Sequence, residues 1–371
     1  MKTKNLMILC FLFIFCFFLM PASAYTLQDY YWEGGRSALQ IDSSVNSSHH
    51  SAIYNAANNW SNVQGSSFYF YNNSSATTNK TIVRMGAVAN PNWLGSEQPI
   101  VVSGNYKRVS EVIMDQSRTW GNNSYLIGVK TIDFETVVVH ELGHSVGLGH
   151  SATSSAIMYN SSPLLFIKRG LTNDDINGIK ARYPLSRPSS FKSGLNSFFN
   201  DEIIQIEINA LVEAMTEEEM ENRADLIVYG TVKEILPAQW DTPDGSDPSI
   251  QTKNMYSTEG YQLYYDTLIV VEDIYKGELE SKEIYVRSSG GSTDKVKMIC
   301  DSSAVYNEND KVILYLFEDN GTRSQNLGPE HYFAYPKQGQ LFVKNDKTVI
   351  NGHGDIVDLQ NLLTIKNDKI L

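Results

Sequence analysis

The stretch HELGHSVGLGH, residues 140–150, places three histidines and one glutamate at a spacing that suits a catalytic metal ion. Residues four apart lie on the same face of a helix, so His140 and His144 can direct ring nitrogens to one metal. Glu141 then lies beside the metal rather than on it. Gly147 can take a left-handed conformation, which ends the helix and turns the chain so that His150 returns as a third ligand.

Three protein ligands leave one coordination position for water, and this open position distinguishes a catalytic zinc site from a structural one. Zinc lowers the pKa of bound water from about 15.7 towards ~7, so Glu141 can take a proton as general base. The activated water would attack a carbonyl without a covalent enzyme intermediate. A lone histidine is more often a surface or core residue, but the longer pattern makes a chance match the weaker interpretation.

The sequence on either side of this stretch is typical of a buried helix followed by a polar loop. The run from Ile132 to Val139 has acidic residues at its start and then an apolar stripe, which predicts a helix that begins near Asp133. Met158 follows a loop rich in serine and threonine. Met158 alone would more often be an ordinary core residue, so any role in the site depends on its pairing with the histidines.

Together these features resemble the metzincins, and within them the matrixin-like peptidases. Ser151 after the third histidine and residues 171–179, which look like the start of a final helix, extend the resemblance over roughly residues 30–184. It implies one catalytic zinc held by the chain, a general base, and structural support from a methionine and a glycine. The implied site residues are the zinc ligands His140, His144 and His150, the base Glu141, and the supports Met158 and Gly147.

The chain departs from the matrixin pattern in two respects. No cysteine precedes the motif helix after the expected signal cleavage point, so a cysteine switch is excluded. Only the adjacent pair His49 and His50 is available for a second zinc, and adjacent residues cannot face one side of a helix. Tyr159 directly follows the methionine, unlike the Met-x-Tyr arrangement by which some other metzincins add a tyrosine ligand, so it is not assigned to the metal. Calcium is possible on an acidic protein, but no calcium-binding loop pattern supports it.

The predicted fold class is α+β, with a metzincin-type catalytic domain before a mainly antiparallel β sheet or barrel. The resemblance implies a twisted mixed sheet, an active-site helix and a C-terminal helix in the first domain. The chain has 371 residues, which is long enough for two domains. The expected division is a signal peptide at 1–24, the catalytic domain at 25–184, a linker at 185–200 and the β-rich domain at 201–371.

Apolar periodicity predicts the elements that precede the histidines. A strand is expected at 38–41, a helix within 47–63, and further strands at 68–71 and 81–88. A β run at 109–115 is either the edge strand against which an extended peptide pairs or an interior strand of the sheet.

The segment after the linker changes in character. Residues 203–223 are acidic and compatible with a helix, with Met215 and Met220 as packing residues. Five β-branched and aromatic runs follow, at 225–236, 264–275, 283–288, 311–317 and 332–343. We expect a binding or targeting module; the alternative is an intramolecular lid over the zinc.

Composition restricts the location and the class of partner. The apolar run from Leu6 to Met20 and the small residues before Tyr25 indicate a cleaved signal peptide, and therefore a secreted or cell-surface protein without a later membrane span. Cys300 is then the remaining cysteine, and it is expected to be a buried small hydrophobe rather than a catalytic thiol. A net charge of −12 argues against nucleic-acid binding.

The sequence therefore predicts a secreted zinc endopeptidase that acts on protein or peptide substrates. The alternative is a surface-binding protein whose β-rich domain carries the main role, with a peptidase domain that is latent or restricted to one partner. The identity of the substrate is not encoded in the motif.

Overall fold

The computed structural model describes residues 24–121, 131–162, 167–185, 204–248, 250–252, 255–257, 261–318, 331–344 and 348–357. The expected signal peptide lies outside these residues, apart from Ala24, and so does the expected linker, apart from Leu185. The fold class is α+β, as predicted, because a mixed sheet with helices is followed by a β-rich unit.

Four helices occur in the described part of the chain, and their order follows the sequence. They are α1 (His50–Ser61), α2 (Phe134–Val146), α3 (Asn173–Arg182) and α4 (Glu217–Arg223). Short 3₁₀ helices cover Glu33–Gly35, Ser47–His49 and Lys337–Gly339.

The strands of the first half are β1 (Tyr31–Trp32), β2 (Arg36–Ile41), β3 (Tyr69–Asn72), β4 (Lys80–Gly86), β5 (Trp93–Ser103), β6 (Tyr106–Asp115), β7 (Trp120–Gly121), β8 (Ile132–Asp133) and β9 (Ser161–Ser162). The next are β10 (Ile204–Glu213), β11 (Leu226–Ile235), β12 (Gln239–Trp240), β13 (Ile250–Thr252), β14 (Met255–Ser257), β15 (Leu263–Lys276), β16 (Glu283–Ser289) and β17 (Gly291–Ser292). The last are β18 (Val296–Cys300), β19 (Lys311–Glu318), β20 (His331–Ala334), β21 (Gln340–Val343), β22 (Val349–Asn351) and β23 (Ile356–Val357).

Within the described residues, the first sheet has twelve strands, with the main order β17-β18-β10-β5-β6-β4-β2-β3. Strands β2, β3, β4 and β6 are parallel, whereas β5 runs antiparallel to β6. Helices α1 and α2 bury apolar side chains against this sheet. Ile53, Trp60 and Val138 have no exposed surface and belong to the same core cluster. The predicted strands and the helical stripe within 47–63 are therefore confirmed.

The edge-strand interpretation of residues 109–115 is wrong. These residues lie in β6, which is interior because it pairs with β4 on one side and with β5 on the other. The outer strand of this part of the sheet is β5, which the sequence analysis did not predict. Its sequence, with Gly95, Glu97, Gln98 and Pro99, lacks the apolar alternation of a half-buried strand.

The expectation of a helix across residues 203–223 is correct only for its second half. Residues 204–213 form β10, which pairs antiparallel with β5, and helix α4 begins at Glu217. The alternation of Ile204, Ile206 and Ile208 with polar residues is the period of a strand. Met220 is buried as expected, and Met215 packs against the same cluster.

The C-terminal runs form a second sheet of nine strands, five of which close into a barrel. Strand β11 pairs with β15 and β19, and the path β15-β16-β20-β19 completes the ring. Val228, Ile269 and Leu314 belong to the buried cluster of this unit. The predicted run at 332–343 is two strands, since a 3₁₀ helix interrupts it at residues 337–339.

Candidate metal centre and cleft

The motif helix α2 begins and ends where the sequence predicts. The Asp133 carboxylate accepts a hydrogen bond from the N–H of Thr136 at 2.9 Å, which caps the first turn. Gly147 takes φ 108°, a left-handed conformation that a residue with a side chain rarely adopts. The chain therefore leaves the helix at this glycine and returns towards it with His150.

The three histidines direct their Nε2 atoms to one point. His140 Nε2 lies 2.9 Å from His144 Nε2, and His150 Nε2 lies 3.2 Å from each of them. Among the residues that the structure describes, these three alone form a group whose donor atoms could hold a metal. Imidazole nitrogens in this arrangement suit zinc.

The outer nitrogens of the rings are held by oxygen acceptors. His140 Nδ1 lies 2.7 Å from the carbonyl oxygen of Ile157, and His144 Nδ1 lies 2.8 Å from that of Leu148. A carbonyl only accepts, so each Nδ1 carries the hydrogen and each Nε2 presents its lone pair inward. This tautomer is the one that a metal at the centre requires.

Asp301 supplies the corresponding partner for the third histidine. Its carboxylate contacts His150 Nδ1, although it lies 151 residues further along the chain. Asp301 follows β18, which pairs with β10, so the C-terminal half of the chain contributes to the histidine cluster. The sequence alone does not reveal this residue, because a lone aspartate in a turn has no motif around it.

The protonation of the buried histidines fits a metal site. Burial lowers the pKa of His140 and His144 well below the ordinary histidine value, and neighbouring histidines act in the same direction. Both rings are thus neutral at physiological pH, as metal coordination requires.

Glu141 lies in the same buried region and has one oxygen without a hydrogen-bond partner. Its Oε1 accepts the N–H of Leu211 at 3.2 Å, whereas Oε2 is buried and unpartnered. Burial raises the pKa of the Glu141 carboxyl well above its usual value. An unpartnered basic oxygen beside three converging imidazoles fits a group that takes a proton from water at a metal.

Met158 packs directly beneath the histidine helix. It is 1% exposed, and a Cβ added at Gly143 would lie 2.3 Å from its sulfur, so the glycine makes this contact possible. The buried Asp175 carboxylate accepts the N–H groups of Ile157 and Met158 at 2.9 and 3.0 Å. Asp175, which the sequence analysis placed only in a helix, therefore fixes the turn below the site.

The other histidines and Cys300 do not join this centre. His49 stacks on Phe134 with ring centroids 4.4 Å apart, and His50 Nε2 lies 3.3 Å from the Val45 carbonyl oxygen. His331 stacks on Tyr285. Cys300 is buried, and burial raises the pKa of its thiol, which favours a packing role over a nucleophilic one.

The cleft beside the histidines is bounded by both halves of the chain. A cavity of about 400 Å³ is lined by His150 and Asn160 on one side, and by Ala210, Asp301 and His353 on the other. The contacts of β10 and Asp301 favour the alternative to the expected binding or targeting module, which was an intramolecular lid over the proposed zinc site.

Comparison with known proteins assigns the first part of the chain to a family. Residues 38–184 match the family model described as Matrixin, so this region is a matrixin-like metzincin domain. The match covers the histidine motif and helix α3.

Several of the curated relatives that match are named metalloendoproteinases. Metalloendoproteinase 2-MMP of Arabidopsis thaliana is 44% identical over 61 residues, which is 16% of each chain. Metalloendoproteinase 1 of Glycine max is 50% identical over 54 residues, 15% of this chain and 18% of that protein. Matrilysin of Homo sapiens is 40% identical over 73 residues, 19% and 25% of the two chains. The chain thus spans less than a fifth of the length of the first two relatives.

Proposed function

We propose, from the premise that residues 38–184 form a matrixin-like domain, that the protein is a secreted zinc-dependent endopeptidase. The observation that carries this proposal is the convergence of three imidazoles beside a buried carboxylate with an unpartnered oxygen. Metalloendoproteinases among its relatives support the same class of reaction.

The proposed roles follow from the positions of the side chains. His140, His144 and His150 would hold the metal through Nε2, and their Nδ1 partners keep the rings in the required tautomer. A bound zinc would supply a Lewis acid that polarises the substrate carbonyl and acidifies water. Glu141 Oε2 is placed to take a proton from the attacking water, and the Glu141 carboxyl would then deliver a proton to the leaving nitrogen.

The groove between β5 and residues 160–162 is where we expect an extended peptide to bind. Strand β5 is the outer strand of the matrixin-like region, and its main-chain groups pair with an adjacent strand. Recognition by main-chain hydrogen bonds accepts many sequences, which suits an endopeptidase with protein or peptide substrates.

Secretion is part of this proposal and rests on the N-terminal apolar run and its small-residue cleavage pattern. No helix among the residues described here is both long enough and apolar enough to cross a membrane. A surface or protein ligand of the C-terminal unit remains a prediction from the sequence, whereas no calcium-binding loop pattern supports calcium binding.

The mature chain, from Tyr25 to Leu371, should cleave casein, and a chelator should abolish the cleavage. Glu141→Gln should retain zinc by metal analysis while the rate falls at least about 100-fold, because proton transfer is lost. Glu111→Gln is the matched control, since Glu111 pairs with Arg84 away from the histidines and should leave the rate unchanged. Full activity of Glu141→Gln would refute the assigned mechanism.

A further inference from the structure

Strand β10 lies in the cleft as an extended peptide held on both sides. On one side it pairs antiparallel with β5, with Ala210 opposite Ser96 and Leu211 opposite Gly95. On the other side it runs parallel to β9, and the N–H of Val212 donates to the Asn160 carbonyl at 3.1 Å. The chain therefore occupies its own peptide-binding groove.

Further contacts fix the C-terminal end of this strand. The N–H of Glu213 donates to the Asn92 carbonyl at 2.7 Å, and that of Ala214 donates to Ser162 at 3.2 Å. The buried Glu213 carboxylate also pairs with Arg118 at 2.8 Å. These contacts allow little freedom of register.

The register places one peptide bond at the proposed general base. The N–H of Leu211, which is the nitrogen of the Ala210–Leu211 bond, donates to Glu141 Oε1 at 3.2 Å. A Cβ at Gly95 would lie 3.1 Å from Glu141 Cγ, so the absence of a side chain there lets β5 approach the base closely. A nitrogen bonded to the base is positioned to receive a proton when its bond breaks.

The side chain of Leu211 is bound as an apolar anchor. It is 2% exposed and belongs to the core cluster of the matrixin-like region, together with Leu94, Val137 and Ile157. By contrast, Ile206 and Ile208 belong to a cluster with Val296 and Met298 from the C-terminal half. Ala210 and Val212 also belong to that second cluster, because alternate side chains of a strand point to opposite faces, and Leu211 lies on the face that meets the matrixin-like core.

We propose that the Ala210–Leu211 bond is a self-cleavage site, hydrolysed in cis by the active site that the strand covers. Water adds across the bond: its oxygen forms a carboxylate on Ala210, and its two protons convert the peptide N–H of Leu211 to an ammonium group. The cavity lined by His150, Ala210 and Asp301 gives water access to this position. The proposal rests on the proposed peptidase function.

Cleavage would also open the site to other substrates. Before it, β10 fills the groove beside β5, so an external peptide competes with a tethered strand at high effective concentration. After it, residues from Leu211 onwards are no longer tethered through Ala210. The full chain is thus a latent enzyme whose first substrate is its own strand.

The wild-type mature chain tests the proposal directly. Incubated with zinc and analysed by denaturing electrophoresis and mass spectrometry, it should yield one fragment that ends at Ala210 and another that begins at Leu211. The half-time should not change over a tenfold range of protein concentration, because the reaction is intramolecular. Glu141→Gln should slow this cut at least about 100-fold. Cleavage only at other bonds, or a half-time that shortens in proportion to concentration, would overturn the proposal.

Variants of Leu211 separate this proposal from the peptidase function. Leu211→Asp places a charge in an apolar pocket and should release the strand, so casein hydrolysis begins at least tenfold faster than in wild type. Val305→Asp, at a side chain 77% exposed, is the matched control and should behave as wild type. If Leu211→Asp cleaves casein while the wild-type Ala210–Leu211 bond stays intact, the self-cleavage proposal is wrong but the proposed peptidase function stands. If neither chain cleaves casein or itself, the proposed function fails.

A binding measurement supplies a readout that needs no turnover, in case Leu211→Asp folds poorly. A fluorescent peptide with the sequence of residues 205–216 is titrated into Glu141→Gln and into Glu141→Gln with the milder Leu211→Ser. The second chain should bind the peptide at least tenfold more tightly, since its own strand competes less well. Equal affinities would show that β10 does not occupy the groove.

Discussion

Asp301 contacts Nδ1 of His150 through its carboxylate, whereas the Nδ1 atoms of His140 and His144 are held by backbone carbonyl oxygens. The contact joins the C-terminal half of the chain to a proposed zinc ligand. A carboxylate bonded to a histidine orients the ring and makes its other nitrogen more basic.

Removal of this carboxylate should weaken zinc binding. In the Glu141→Gln chain, which stays intact, Asp301→Ala should raise the dissociation constant of zinc about 10-fold to 100-fold, the usual effect of losing an outer partner. Competition with a chelating dye measures the constant. Asp244→Ala, at an aspartate of a surface turn, is the control. An unchanged constant would mean that Asp301 does not support His150.

Lys107 should be essential to the stability of the matrixin-like region. Its Nζ lies 2.8 Å from Glu97 Oε1 and donates to the His144 carbonyl at 2.7 Å, and both charged side chains are fully buried. Burial lowers the pKa of Lys107, and Glu97 opposes that shift. Lys107→Met leaves the Glu97 charge without its partner and should lower the free energy of unfolding by about 3–5 kcal/mol in urea titrations.

Two further variants test this explanation. Lys107→Met combined with Glu97→Gln should recover part of the loss, because no unpaired charge remains buried. Lys233→Met breaks the exposed pair with Glu283 and should cost far less stability than Lys107→Met, because solvent screens an exposed ion pair. If the double variant is no more stable than Lys107→Met, the unpaired charge is not the cause.

The sequence predicted the parts of the site that depend on local geometry. The start of α2 at Asp133, its end at Gly147 and the convergence of His140, His144 and His150 all follow from helix spacing and one left-handed residue. These features are specified by residues within a few turns of one another, so a single sequence suffices to find them.

The parts that depend on distant contacts could not be predicted. Asp301 and strand β10 reach the histidines only because β10 pairs with β5 and β18, and no local pattern specifies that pairing. The alternating isoleucines of residues 204–208 were the available indication of a strand, but the acidic run that follows them favoured a helix. Asp175 likewise acts on Ile157 and Met158 through a contact that closes only in the folded chain.

Asp175 should control the turn that carries Met158. Its carboxylate accepts three backbone N–H groups, those of Ile157, Met158 and Thr172. Asp175→Ala leaves buried donors unpaired and should lower the free energy of unfolding by roughly 3 kcal/mol or more in urea titrations. Asp175→Asn keeps one accepting oxygen and should lose less. Equal losses would show that the effect comes from the charge rather than from these hydrogen bonds.

The stability contributed by Asp133 should depend on pH in acid. Burial alone raises the pKa of Asp133, but hydrogen bonds from Arg169 and Thr136 outweigh it and hold the pKa below the ordinary value. A lowered pKa in the folded state favours the charged carboxylate, so its contribution is fully present above the unfolded pKa of ~3.9. It is lost as pH falls through the lower, folded pKa.

The difference in unfolding free energy between wild type and Asp133→Ala should therefore depend on pH in a specific way. With chelator present to remove metal effects, their difference in unfolding free energy should be constant above pH ~5 and should shrink as pH falls below ~4. Urea titrations across this range measure it. Asp294→Ala, in an exposed turn of the β-rich half, should show no such change. A difference that grows as pH falls would require a raised pKa of Asp133 in the folded state. That result would contradict the effect expected from the Arg169 contact.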